Sequence, residues 1–210
     1  MITLYYSPGA ASLVVHWLLL ELDVPHELHK LDLDARDHKQ PAYLVLNPAG
    51  LVPTLVVDGV PVTEAAAISL YLVEAYPRLE LAPPPGTRER AAYYQAMFFL
   101  ANTLQPAYRG WFFPTEPAGP ASADAAKAAA RARIEAAWTQ LDAQLAARGP
   151  YLLGARPTTP DFMLTMLMRW SRNMPRTALE WPALARLATA MKARPTWKEL
   201  YAREGLTEWA

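Results

Sequence analysis

The sequence predicts an α/β domain with a four-stranded mixed sheet, followed by an all-helical domain. Three observations carry that reading. The first eighty residues run strand, helix, strand and then strand, strand, helix. A proline-rich stretch, LELAPPPGT at 79–87, comes next, and a helix cannot cross it. Beyond it, apolar residues recur only at helical spacing.

The elements follow in order. Ile2–Ser7 is a short β-rich run, and Pro8-Gly9 turns the chain after it. Ser12–Leu22 is apolar on nearly every face, which predicts a largely buried helix. His26–Leu33 alternates and is read as the second strand; residues 34–46 form a loop with a short helix. Thr54–Val57 and Val60–Thr63 flank Asp58-Gly59, a strong hairpin signal. Glu64–Tyr76 places Ile68, Leu72 and Ala75 on one helical stripe, with Tyr71 beside it. The hairpin supplies an antiparallel pair, and a right-handed crossover joins the first two strands. After the break, Ala96, Leu100, Leu104 and Tyr108 repeat every four residues, and Pro106 is expected to kink that helix. Ala121–Arg133 is alanine-rich and favours helix; Ile134, Trp138, Leu141 and Leu145 continue it. Phe162–Trp170 is apolar almost all round and is expected to be central. Trp181–Arg194 and Pro195–Arg203 are the last two helices. The expected organisation is a sheet domain at 1–78, a linker at 79–86 and a helical domain at 87–210.

Composition narrows the function classes. Of 210 residues, 52% are hydrophobic, enough for a real core. Twenty basic residues balance twenty acidic ones, so no polyanionic partner is expected, and nucleic acid with it. The chain has no cysteine, which excludes disulfides, thiolate metal sites and a cysteine nucleophile. It starts directly as a strand, so no signal peptide is expected. The longest apolar stretch, Leu13 to Leu20, is interrupted by His16 and is too short for a bilayer. Cytoplasm is the expected location. His26 and His29 sit three apart on a strand and point to opposite faces, so no metal site is expected.

Four stretches carry chemistry. YYSPGAAS at 5–12 lies at the carboxyl end of the first strand, where open α/β sheets bind ligands. Val52-Pro53-Thr54 opens a strand; it is either a simple turn or a place where free backbone groups pair with an extended peptide. Thr63-Glu64-Ala65 starts a helix. Either Thr63 caps it, or the open N–H groups bind a carboxylate while Glu64 meets an ammonium. Thr158-x-x-Asp161 has capping-box spacing and is read as structural.

In that order, SPGAAS, NPAGLVP, VTEAAAI and YLLGARPTTPD resemble the glutathione transferase superfamily, most closely its bacterial beta class. The resemblance covers essentially the whole chain. It implies a thioredoxin-like first domain, an all-helical second domain, a cis peptide before Pro53, and a homodimer. It also implies that the Val52 backbone pairs with the cysteinyl unit of glutathione. Glu64 and the Ala65 amide would then hold the γ-glutamyl end. The sequence departs from the pattern at Ala11, where beta-class members carry cysteine, and at Ala10, near the place of the serine in serine-type classes. It departs again at Leu51, Ala65 and Gln105-Pro106, where polar residues are usual.

Conjugation needs glutathione as thiolate. A free thiol of pKa about 8.5 is only about 3% ionised at neutral pH. One hydrogen bond to the charged sulfur shifts that by about one or two pKa units, so a single hydroxyl is sufficient. Tyr6, at the place of the tyrosine in tyrosine-type classes, and Ser12, at the helix start, are the two candidates. The readings against them are a packed aromatic and a helix cap. Tyr108, Arg109, Trp111 and Phe112 would line an electrophile pocket as an aromatic, partly cationic wall, or else form core between the domains. The function expected is addition of glutathione to small hydrophobic electrophiles. The alternative is a non-catalytic protein of the same fold that binds hydrophobic ligands or a protein partner. A disulfide reductase working through a protein thiol is excluded by the lack of cysteine.

Overall fold

The computed structural model describes residues 1–209. The chain divides into two compact units: Met1–Ala82 together with Lys192–Ala210, and Pro83–Met191.

The first unit is built on a four-stranded sheet of order β2-β1-β3-β4, with β1 at Ile2–Tyr6, β2 at Glu27–Lys30, β3 at Thr54–Val57 and β4 at Val60–Thr63. β1 pairs parallel with β2 and antiparallel with β3, and β3 pairs antiparallel with β4. Period-two burial orients β1: Ile2, Leu4 and Tyr6 are buried, while Thr3 and Tyr5 are half-buried. Helix α1, Ser12–Glu21, packs behind β1 and against α3, Ala65–Ala75. Its residues Ser12 to Leu19 are all buried, as an all-round apolar helix requires. A short helix α2, Pro41–Leu44, covers the Tyr5 side, with Tyr43 5.6 Å from the Tyr5 ring.

The second unit is helical. Thr87 caps α4, Arg88–Phe99, by accepting the Arg90 N–H. A π-helical turn, Leu100–Leu104, leads from α4 into α5, Gln105–Phe112. A kink was expected at Pro106; the irregularity lies in the turn before it. Proline has no N–H to give to that turn. A spacing of four drifts about 40° per step around an α-helix. The wider π turn offsets the drift, and Ala96, Leu100, Leu104 and Tyr108 are all buried. After a short α6, Thr115–Ala118, the alanine-rich α7, Ala123–Arg148, buries Ile134, Trp138, Leu141 and Leu145. Helix α8, Thr159–Trp170, is buried from Thr159 through Arg169. Thr158 and Asp161 start it with the reciprocal capping box that the sequence spacing implied. Helix α9 is Pro182–Lys192.

The last helix, α10 at Pro195–Glu204, corrects the expected organisation. The sequence reading placed it in the helical domain, yet it belongs to the sheet-containing unit. The Trp197 ring packs 4.7 Å from that of Trp17 of α1, tilted by 57°, and the Trp17 indole N–H donates to Thr196 Oγ1 at 3.0 Å. Among the described residues, no helix is long and apolar enough to cross a membrane.

Candidate active site

Strand register assembles the site. Tyr5, Thr54 and Thr63 lie opposite one another across β1, β3 and β4. The next residue along each chain is Tyr6, Pro53 or Glu64. These three therefore lie side by side at one end of the sheet: Tyr6 as the last residue of β1, paired with Lys30 of β2, and Pro53 and Glu64 just beyond β3 and β4. Strands are 4.7–4.9 Å apart, so the row from Tyr6 to Glu64 spans about 10 Å.

At one end of the row, the loop after β1 turns tightly, with Ala10 N–H donating to the Ser7 carbonyl at 3.1 Å and Gly9 at φ +69°. Ser12 is fully buried. Its hydroxyl donates to the Ser7 carbonyl (3.1 Å) and accepts the Ser7 N–H (3.2 Å). The single hydroxyl proton is thus engaged, and a thiolate could take it only by opening the loop. Ser12 is not the helix cap either, because Ala11 holds that position without a side-chain bond. Tyr6 is also largely buried, with its ring 5.6 Å from His16. Burial, and secondarily the Glu204 carboxylate, raise the Tyr6 phenol above its usual pKa. At neutral pH it is a protonated donor, and no described residue takes its hydrogen bond.

In the middle of the row, the Val52–Pro53 peptide is cis. The carbonyl of Leu51 is doubly engaged, by the Tyr43 hydroxyl (2.5 Å) and the Asn47 amide (2.8 Å). The next residue, Val52, has no backbone hydrogen bond to another described residue.

At the far end, Glu64 adopts φ +69°, ψ +110°, a conformation a side chain rarely takes. Such strain persists only where surrounding structure imposes it, and it clusters at ligand sites. The first hydrogen bond of α3 is Ile68 N–H to the Glu64 carbonyl, at 2.9 Å. The N–H groups of Ala65, Ala66 and Ala67 therefore precede it. Capping by Thr63 does not occur: Thr63 ends β4, Glu64 takes the cap position, and no side chain caps the helix. An exposed carboxylate thus stands beside open backbone donors.

The second unit revises the expected electrophile wall. Tyr108 is fully buried, packed among Phe112 (5.8 Å), Trp138 (6.2 Å) and Trp170 (5.6 Å). It is core and presents no face to a ligand. The periodicity of four shows which helix face it shares but not how deep that face lies. Arg109 is held by both oxygens of Glu116 (2.7 and 2.6 Å) and lies over the Phe113 ring, so its charge is matched locally. Trp111 is half-buried under Lys127, and Phe112 is exposed. Among the described residues no group of three or more His, Cys, Asp or Glu could hold a metal ion.

One residue of this site was missed from sequence. Glu204, fully buried at the end of α10, accepts the Gly9 N–H at 2.8 Å and pairs with His16 Nδ1 at 2.8 Å. A signal did exist. A carboxylate in the last turn of a helix faces the negative end of the dipole, so it needs a partner elsewhere.

Known proteins resemble this chain in sequence and fold. Family models described as glutathione S-transferase, N-terminal domain and C-terminal domain match residues 10–75 and 124–210. The curated glutathione S-transferase GST-4.5 of Xanthomonas campestris pv. campestris is 35% identical over 171 residues, covering 81% of this chain and 82% of that one. This chain belongs to the glutathione S-transferase family. A Sulfitobacter glutathione transferase homologue, solved with bound glutathione, superposes on this transferase with a TM-score of 0.91 at 25% identity, covering 99% of both chains. A sphingomonad glutathione S-transferase complexed with glutathione gives 0.85 at 32% identity, over 98% of this transferase and 100% of that chain.

Proposed function

We propose that this glutathione transferase binds glutathione along the row Tyr6–Val52–Glu64 and adds its thiolate to small, flat, hydrophobic electrophiles in the cytoplasm, as a homodimer. The observation that carries the reading is the row itself. An extended tripeptide is about 10 Å long, the span from Tyr6 to Glu64. Each part of glutathione then meets matching chemistry. The γ-glutamyl ammonium faces the Glu64 carboxylate, and its carboxylate faces the Ala65 amide at the positive end of α3. The cysteinyl backbone pairs with the free N–H and C=O of Val52 beside Pro53. The sulfur then comes to the Tyr6 end, where one phenol O–H is available to the thiolate. With donor and sulfur held together, the remaining catalysis is proximity to the electrophile.

Glu64→Gln should weaken glutathione binding by roughly 1–3 kcal/mol, since it removes one partner of a charge-assisted contact. The loss should be smaller for a glutathione analogue lacking the α-amino group. Calorimetric titration of both ligands into both proteins measures this. Equal losses would take Glu64 out of the site and leave the non-catalytic alternative, which the bare Ala11, Leu51 and Ala65 positions favour. The homodimer is tested separately by light scattering, which should give twice the chain mass at micromolar concentration. A single chain mass would refute it.

A further inference from the structure

We propose that Glu204 is a positioning residue for glutathione activation: it anchors the loop after β1 through Gly9, faces Tyr6 with a negative charge, and acts on the sulfur through that phenol. The proposal rests on Tyr6 being the thiolate's donor. One oxygen of the Glu204 carboxylate takes the Gly9 N–H and the other takes His16 Nδ1, both at 2.8 Å and out of contact with solvent. A single side chain of α10 thereby fixes the loop, α1 and, through the His16 ring 5.6 Å away, Tyr6. The bonds reach across 195 and 188 residues of sequence, so neither is a by-product of local folding.

The titratable and charged groups around this carboxylate and its partners come from each neighbouring element. β1 contributes Tyr6, whose phenol is raised by burial first and by Glu204 second. α1 contributes His16. The segment before β2 contributes His26, 5.7 Å from His16; its Nδ1 lies 2.7 Å from the Val24 carbonyl, and burial lowers its pKa. On α10 itself Arg203 is paired with Glu199 at 2.6 Å. Among the described residues Glu204 is the charge that bears on Tyr6. A nearby negative charge makes a phenol a weaker acid, and a weaker acid is a weaker donor. Glu204 therefore holds the loop in place while restraining how far Tyr6 stabilises the thiolate. The two roles are separable by substitution.

Glu204→Gln keeps an oxygen for the Gly9 N–H and removes the charge. In the full-length protein, the bound glutathione thiolate, followed by its ultraviolet absorbance, should form at lower pH than in the parent. The kcat/KM for a chlorodinitrobenzene at pH 6 should rise about two- to tenfold relative to its value at pH 8. Glu204→Ala removes anchor and charge together, and kcat should fall about ten- to hundredfold from misplacement of the loop. Glu204→Asp keeps the charge but draws it back by one methylene. It should lower kcat while leaving thiolate formation near the parental pH, and it carries the test if Glu204→Gln does not fold. In a Tyr6→Phe background the shift caused by Glu204→Gln should largely vanish. A folded Glu204→Gln protein with an unmoved thiolate titration overturns the proposal, as does an equal shift with and without Tyr6. A merely structural role lowers the melting temperature of all three variants and moves neither pH readout. Failure of the donor reading is seen elsewhere, as Tyr6→Phe leaving both turnover and thiolate titration unchanged.

Discussion

Tyr6→Phe should lower the conjugation rate about tenfold or more and move the pH optimum upward, with glutathione affinity nearly unchanged. The size follows from the value of one hydrogen bond to a charged sulfur, about 1.5–3 kcal/mol. The upward move follows from the sign of the effect: without the donor the thiol ionises later, so full activity needs more alkaline solution. Affinity is spared because the proposed glutathione contacts at Val52, Glu64 and the start of α3 are untouched. Ser12→Ala is the control. Its hydroxyl is engaged by both backbone groups of Ser7, so its loss should lower stability and leave the pH profile in place. Rate–pH profiles of the two variants decide the matter. An unchanged profile in Tyr6→Phe with a displaced one in Ser12→Ala would transfer the role to Ser12.

Asp161→Ala should cost about 3 kcal/mol or more, the largest stability loss expected from a single polar side chain in this protein. Asp161 is fully buried and accepts three hydrogen bonds, from Leu152 N–H (2.9 Å), Thr158 N–H (2.8 Å) and the Thr158 hydroxyl (3.0 Å). Truncation strands two backbone donors in the interior, at roughly 1–3 kcal/mol each, and removes half of the capping box. For a chain of this size the melting temperature should fall by about 6–12 °C. Thermal or urea unfolding checks it, and a loss below about 1 kcal/mol would mean that water reaches those amides. The pH dependence has a defined sign. Burial pushes the Asp161 carboxyl up to about 6, against the pull of its donors. The folded chain therefore holds this proton more tightly than the unfolded one. The contribution is most favourable below about pH 4 and declines as pH rises toward 6. The decline should disappear in Asp161→Ala.

What could be read from sequence was what local residues determine. Asp58-Gly59 makes its hairpin wherever it stands between alternating apolar runs, and Thr158 and Asp161 meet because they are three residues apart at a helix start. Tyr6, Val52-Pro53 and Glu64 could be proposed one by one, but only strand register aligns them. Ser12 could not be assigned from sequence, because a serine after a Pro-Gly turn can point its proton into the loop or out of it. Whether Tyr108 lines a pocket or packs in the core stays open in the sequence for a related reason: spacing identifies a shared face, and depth depends on Trp138 and Trp170, about thirty and sixty residues further on. Glu204 lay furthest from reach, since both of its partners are in the first sixteen residues.

That last contact bears on how the chain is made. The sheet-containing unit is split, with 83–191 inserted between its two parts. At 5–20 residues per second, a ribosome needs roughly 5–20 s to synthesise the inserted stretch. For those seconds the nascent sheet lacks α10: Trp17 has no Trp197 to pack against, and Gly9 and His16 await Glu204. The sheet-containing half is started first and finished last, so the helical half has time to fold before its predecessor is complete.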